Sequence, residues 1–425
     1  MMTFHYDQLQ CHSCIKLRES ATMKHAGQPS RTIVWITDVI LDAKARPDVL
    51  EILSHLAQRG FDVHLIAIRS KKRCPLNYSG VHIRSFPLRY APVIQAYLFL
   101  GILLVFLPIY VLLKRPRFVI TTPGPFVFAA FMWKPFLSGC LKVKTILDIR
   151  STPVESSQPV GSIGRLAYPR RVMFDLSVHM AKRMFEGLTI ITPGMKQEIA
   201  TRFRIREELI RVWSVGVSTK LFEPSKYADE AARLREQNGL NGKFVVIYHG
   251  SLGLGRGVVE TVRSIDMLKS RCDDVVLFLL GNGRAIPAIL ALVREKGLHK
   301  RVMIHDAVDY EDVPKYIAMS DVGIVPLPNI PEWIHQCPLK LLEYMAMEKP
   351  VIITDIQANR DIVGDSICGI YVQSSKPEQI AKAILYSRSM RDRLRQWGSY
   401  GRAIVRDKYD WERVAEHLEQ CLASY

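Results

Sequence analysis

The chain has 425 residues, 48% of them hydrophobic, and a formal net charge of +17. That length and apolar content suit two cores rather than one, as in a large cytoplasmic enzyme of two domains. The eight cysteines are scattered, and Cys11-His12-Ser13-Cys14 offers two thiolates with no second pair, which argues against structural zinc and for reduced thiols. Positive charge also suits nucleic acid, but here Lys and Arg are spread over 69–73, 114–117, 165–171 and 202–211 without stacked aromatics or a binding module. No nucleic-acid partner is expected.

Residues 1–30 show neither periodicity nor an apolar run and read as a flexible tail without a signal peptide. A buried-strand pattern at 32–37, a helix over 47–60 closed by Gly60, and a strand at 62–68 form a first βαβ unit. The turn between them carries Lys44 and Arg46, which fit either an anionic acceptor or plain solvation.

Residues 93–113 hold no charge and lie between Arg89 and the group Lys114, Arg115 and Arg117. Length alone permits a transmembrane helix. Yet 117–122 reads as the next strand of the same sheet, and a single crossing would strand it on the far side. The consistent solution is a segment that dips into one leaflet or lies at the interface, broken at Pro108, with its cationic flanks on anionic headgroups. A second apolar patch at 126–137 lies close by; the competing reading is a pair of very apolar core helices.

A strand over 143–149 ends at Asp148 and Arg150, which either organise the acceptor side of a cleft or form a structural ion pair. Strands follow at 188–191 and 210–215, then a linker from 217 to 226. The second half repeats the alternation of strand and helix. The strand 244–248 runs into His249-Gly250-Ser251-Leu252-Gly253-Leu254-Gly255-Arg256-Gly257, and a helix covers 258–268. The strand 275–280 ends in Gly281-Asn282-Gly283, and Ser320 to Pro326 reads as another buried strand. Pro338-Leu339-Lys340 then opens a helix bearing Glu343 and leads to an apolar strand at 350–354. Strands that each end in Gly or Pro, with helices between them, mark a parallel doubly wound sheet whose ligands bind at the strand carboxyl ends. Asp273 and Asp274 precede a strand rather than follow one, so they read as a surface turn and not a metal pair.

This ordered set, with Tyr409-Asp410-Trp411 before a last helix, resembles the retaining glycosyltransferases of family 4 over residues 31–425. The resemblance implies an α/β chain of the GT-B fold: two Rossmann-like, doubly wound parallel-sheet domains facing a central cleft. It implies an acceptor domain at 31–216, a nucleotide-sugar domain at 217–395, and C-terminal helices at 396–425 that cross back. Glu343 matches the second carboxylate of the family's Glu-x7-Glu motif, which holds the donor ribose, and Arg256 matches the base facing the pyrophosphate. His335 stands where the first Glu is usual and Ser251 where an Arg is usual, and Lys340 is a partial substitute in charge. Gly250, Gly253, Gly257, Gly281, Gly283, Pro326, Pro338 and Leu339 complete the implied donor side. Asp148-Ile149-Arg150 resembles the Asp-x-Arg-Asp-x-x-Pro-Glu stretch of members that build surface polysaccharides, with Ser151 replacing its second Asp.

The implied activity is transfer of a hexose from a UDP- or GDP-linked donor to a lipid-linked glycan, with retention, at the cytoplasmic face of a membrane. The protein would be peripheral or monotopic and need no cofactor or metal. Two alternatives remain: a catalytically silent membrane scaffold of the same fold, and a dinucleotide oxidoreductase. Neither glycine turn fits the Gly-x-Gly-x-x-Gly of the latter.

Overall fold

A computed structural model describes residues 31–41, 48–69, 79–88, 92–152, 164–331 and 333–425. The expected tail, Cys11, Cys14, Lys44 and Arg46 lie outside these residues. The first domain is built on seven strands: β1 (Thr32–Leu41), β2 (Asp62–Arg69), β3 (Val81–Pro87), β4 (Phe118–Thr121), β5 (Lys144–Ile149), β6 (Gly187–Ile190) and β7 (Ile210–Val212). They pair in the order β3-β2-β1-β4-β5-β6-β7, all parallel. Five helices cover them: α1 (Asp48–Gln58), α2 (Pro92–Lys114), α3 (Val127–Gly139), α4 (Gly164–Met184) and α5 (Pro193–Phe203).

The second sheet has six strands: β8 (Phe244–His249), β9 (Val275–Leu280), β10 (Val302–His305), β11 (Val322–Val325), β12 (Val351–Thr354) and β13 (Gly369–Val372). Their order is β10-β9-β8-β11-β12-β13, again all parallel. Around it run α6 (Ala228–Gln237), α7 (Val258–Leu268), α8 (Ile286–Lys296), α9 (Val313–Ala318), α10 (Leu339–Ala346), α11 (Gln357–Val363), α12 (Pro377–Ser389) and α13 (Arg391–Ile404). The last helix is α14 (Trp411–Ala423). Helices on both faces explain why β8, β9, β11 and β12 are buried along their whole length and read as unbroken apolar runs. The chain therefore folds as two doubly wound parallel-sheet domains.

The apolar segment 93–113 is helix α2, the crossover from β3 to β4. It packs one side on the sheet: Phe99, Leu103, Leu107 and Val111 share a core with Val34, Ile36, Ile66 and Ile68. Its other side leaves Ile94, Leu98, Val105, Ile109 and Leu113 exposed, Leu113 at 76%. Pro108 does not break the helix as the sequence suggested. A proline removes the hydrogen bond to the carbonyl four residues back. Here that carbonyl, of Leu104, instead accepts from Trp133 Nε1 of α3 at 2.9 Å, so the gap is filled from the neighbouring helix.

Two chain segments join the domains. The linker after β7 and the segment before α14 are zipped together: Val217 bridges Asp410, and Val217 N donates to Tyr409 O at 2.8 Å. α14 packs on the first domain, where Glu419 binds Arg31 at 2.6 Å and Arg59 at 2.7 Å. α13, expected to begin the crossing, stays with the second domain through the buried Leu394 and Trp397, so the crossing starts near 405 rather than 396. Beneath the junction the buried Arg402 donates to Phe222 O at 2.9 Å and to Ala346 O, and pairs with Glu223 at 2.5 Å. Arg402→Met strands these acceptors and is expected to cost about 2–3 kcal/mol. It should appear as a lowered urea midpoint; an unchanged midpoint would show that the linker is held by other contacts.

Candidate active site

The loops after β8, β9 and β11 meet backbone to backbone because three glycines allow it. A Cβ on Gly281 would lie 2.0 Å from Gly250 O, and one on Gly283 would lie 2.2 Å from Leu252 O. Gly257 holds φ +72°, and a Cβ there would lie 1.9 Å from Pro326 O. No other residue combines that left-handed backbone with that approach. Gly253, Gly257, Gly283 and Pro326 thus shape the site from beneath without lining it.

The cavity so formed holds about 550 Å³. Of the residues expected from the sequence, Gly250, Ser251, Arg256, Gly281, Pro338, Leu339, Lys340 and Glu343 line it. Pro338 is the N-cap of α10, whose Leu341, Leu342, Tyr344, Met345 and Ala346 are buried, so the helix start is fixed by its own core face. Tyr344 OH donates to Ile247 O at 3.2 Å and accepts from His249 N at 3.0 Å, which locks α10 to the end of β8.

Two cations reach into this cavity. Lys340 Nζ donates to Tyr248 OH at 2.9 Å and sits 4.1 Å from the centre of that ring. Arg256 lies over Trp333 at 4.6 Å. Among the described residues neither cation has a carboxylate within ion-pair distance. Burial, reinforced by the charge of Arg256, pushes the Lys340 amine down to about 7, with Glu343 drawing it back up. Glu343 is 6% exposed. Burial raises its carboxyl to about 7 against the pull of a Tyr310 hydrogen bond and the Lys340 charge. His249, at the end of β8, places Nε2 at 2.9 Å from Glu343 Oε2, out of line for a hydrogen bond, and its Nδ1 is buried without a partner. Burial and Lys340 hold that imidazole neutral by lowering it to about 3. An imidazole with a free Nδ1, a buried carboxyl group and two cations outside ion-pair distance of any described carboxylate are groups able to hold a polyanion bearing hydroxyls.

The remaining expected residues lie elsewhere. His335 does not line the cavity. It is turned onto the first domain, where a Cβ at Gly194 would lie 2.4 Å from its Nδ1, and its carbonyl accepts from Thr192 Oγ1 at 2.6 Å. Asp148 does not face the cleft either: it is fully buried and accepts from Thr189 Oγ1 at 2.7 Å and Trp213 Nε1 at 2.9 Å. Arg150 lies 3.4 Å from Asp148 Oδ2 and stacks on Trp213 at 4.6 Å. The structural ion pair is the reading this geometry matches. Conversely, His249, Asn282, Val308, Tyr310, Trp333 and Gln336 line the cavity and were not singled out in the sequence. Finding β10 would have flagged 307–310, since the loop after a parallel strand is where ligands bind.

The charge arrangement carries its own pH signature. A lysine that titrates near 7 folded and about 10.4 unfolded holds its proton only in the unfolded chain between those values. Its contribution to stability therefore rises with pH across that window. Below 7 the raised Glu343 and the lowered His249 give opposing slopes. Lys340→Met is expected to stabilise the ligand-free protein at pH 7 by at least about 1 kcal/mol and to converge on wild type toward pH 10. Urea midpoints across that range that stay parallel would refute the lowered Lys340 amine.

Comparison with known proteins bears on the same region. Residues 243–387 match the family described as "Glycosyl transferases group 1". The alpha-D-kanosaminyltransferase of Streptomyces kanamyceticus is 23% identical over 256 residues, covering 60% of this chain and 64% of that protein. The GDP-mannose-dependent alpha-(1-6)-phosphatidylinositol monomannoside mannosyltransferase of Mycolicibacterium smegmatis is 25% identical over 210 residues, covering 49% and 54%. The chain thus spans between half and two thirds of the length of these relatives. The crystal structure of Anabaena HepE in complex with UDP superposes with a TM-score of 0.69 at 14% identity, over 93% of this chain and 100% of that one. The fold is GT-B, and residues 243–387 are similar to the glycosyl transferases group 1 family.

Proposed function

We propose that the protein is a glycosyltransferase that moves a sugar from a nucleoside-diphosphate donor to a lipid-linked glycan, with retention of configuration, in surface polysaccharide or glycoconjugate biosynthesis. The observation that carries this reading is the pairing of Arg256 and Lys340, neither in an ion pair with a described carboxylate, in one cavity with the buried Glu343. Placed over a donor, the two cations meet the charge that develops on the leaving diphosphate, while Glu343 accepts from the ribose hydroxyls. In the step itself the bond from the anomeric carbon to the diphosphate oxygen breaks. The bond to the acceptor oxygen forms on the same face, and the acceptor proton passes to the departing diphosphate. With two fixed cations to take up that charge, the chemistry calls for neither a protein nucleophile nor a divalent metal. HepE was crystallised with UDP and the mycobacterial relative is named for GDP-mannose, so both bases stay open for this chain.

The acceptor side of the reading rests on α2. Met132 of α3 and Val172 and Leu176 of α4 are exposed as well, and Lys114 stands exposed at the end of α2 beside Arg115. An apolar face edged by cations suits the cytoplasmic face of an anionic bilayer, with the helix lying flat since both its ends return to one sheet. The phosphatidylinositol mannoside named for the mycobacterial relative supports a lipid acceptor.

Two measurements test the proposal. UDP or GDP at about a hundred times its dissociation constant should stabilise the protein by roughly 2.7 kcal/mol. The shift should vanish in Glu343→Ala with the fold intact, and a shift with NAD alone would overturn the donor assignment. In flotation with vesicles containing phosphatidylserine, wild type is expected to rise with the lipid and Val105→Asp/Leu113→Asp to remain below. Equal flotation of the two would remove α2 as the membrane face.

A further inference from the structure

A side chain that no motif points to lies against one of the two cavity cations. Trp333 sits in the loop between β11 and α10, lines the cavity, and carries two contacts to the glycine turn after β8. Its ring lies 4.6 Å beneath the Arg256 guanidinium, and its Nε1 donates to Gly255 O at 2.9 Å. One contact fixes the charge and the other fixes the backbone that bears it. An arginine on a long flexible stem loses roughly 2 kcal/mol of rotamer freedom when it is held, so something must hold it before ligand arrives. A carboxylate would hold it but would also cancel the charge a diphosphate needs. An aromatic face attracts the guanidinium through its quadrupole and leaves the net charge whole. A second ring is used in the same way, that of Tyr248, which carries Lys340 at 4.1 Å.

We propose that Trp333 is a positioning residue that aims the Arg256 guanidinium at the diphosphate of the donor. This rests on the donor reading above. Trp333 then acts through Arg256, and its contribution appears in the increment of affinity supplied by the phosphates, not in recognition of the nucleoside or the sugar.

The test compares nucleoside, monophosphate and diphosphate of the uridine and guanosine series, together with UDP-glucose and GDP-mannose, by calorimetry on wild type, Trp333→Leu and Trp333→Phe. Trp333→Leu is expected to weaken the diphosphate about tenfold with the nucleoside unchanged. Trp333→Phe keeps an aromatic face and should recover most of that loss. Equal weakening of nucleoside and diphosphate would make Trp333 a structural residue only. Loss confined to the nucleotide-sugar, with UDP or GDP unaffected, would make it a platform for the sugar; either result overturns the proposal. Diphosphate affinity identical in Trp333→Leu and wild type also overturns it while leaving the donor reading intact. A wild type that binds no nucleoside diphosphate brings down both.

Discussion

Two half-buried positive charges held in one cavity, neither in an ion pair with a described carboxylate, are the constraint around which the second domain is arranged. Arg256 and Lys340 repel each other, and burial acts against the charge on Lys340. The fold keeps them together by making every backbone element beneath them rigid. Gly250, Gly257 and Gly281 bring three loops into backbone contact, Tyr344 ties α10 to β8, and Arg402 caps the far end of α10 at Ala346 O. Arg402 also binds the linker at Phe222 and Glu223, so the helix that opens on the cavity is anchored at its other end to the joint between the domains. A site that is unfavourable when empty needs such a frame, since a looser one would relax by turning a cation out to water.

The first domain solves a different problem, that of a helix apolar on both sides. α2 is long enough to span a bilayer by length and composition. Its inward row is consumed by the sheet, and its ends are committed to β3 and β4, which lie in that same sheet with β2 and β1 between them. Trp133 supplies the donor that Pro108 denies to Leu104, and α2 stays one helix through Pro108 with an exposed apolar row on its outer side. α3 is in turn fastened behind: Lys134 binds Glu186 at 2.6 Å, and Glu186 accepts from Thr145 N at 2.7 Å. The exposed row is thus backed by a rigid support.

The sequence was most legible where both faces of an element are covered. The interior strands announce themselves as apolar runs, and the glycine turns follow them at the carboxyl ends where the cavity lies. Three strands escaped notice, β3, β10 and β13, and all three are sheet edges. β3 mixes apolar with polar residues, as in Val-His-Ile-Arg-Ser-Phe, and β10 and β13 are only four residues long and partly exposed. Two of the missed site residues share that cause: Val308 and Tyr310 follow the edge strand β10. Asp148 and Arg150 illustrate another limit. An acid and a base at a strand end look identical in sequence whether they face a cleft or one another, and only the partners Thr189 and Trp213, contributed by β6 and by the chain just past β7, decide it.

His335 shows how spacing alone can mislead. It stands eight residues before Glu343, yet the intervening chain includes the non-helical stretch up to the N-cap Pro338, so helical periodicity does not carry over to it. Its side chain meets Gly194 at the start of α5 and its carbonyl takes the Thr192 hydroxyl, both in the first domain. Two residues earlier in the same loop, Trp333 holds Arg256 in the second. Ile334, between them, accepts from Ala358 N of α11 at 2.9 Å. Three consecutive residues therefore bind the donor turn, the second domain's α11 and the first domain in succession, with no slack between them. Position 335 therefore ties the loop that carries Trp333 to the first domain rather than facing the cavity, which is why its spacing from Glu343 carries no site role.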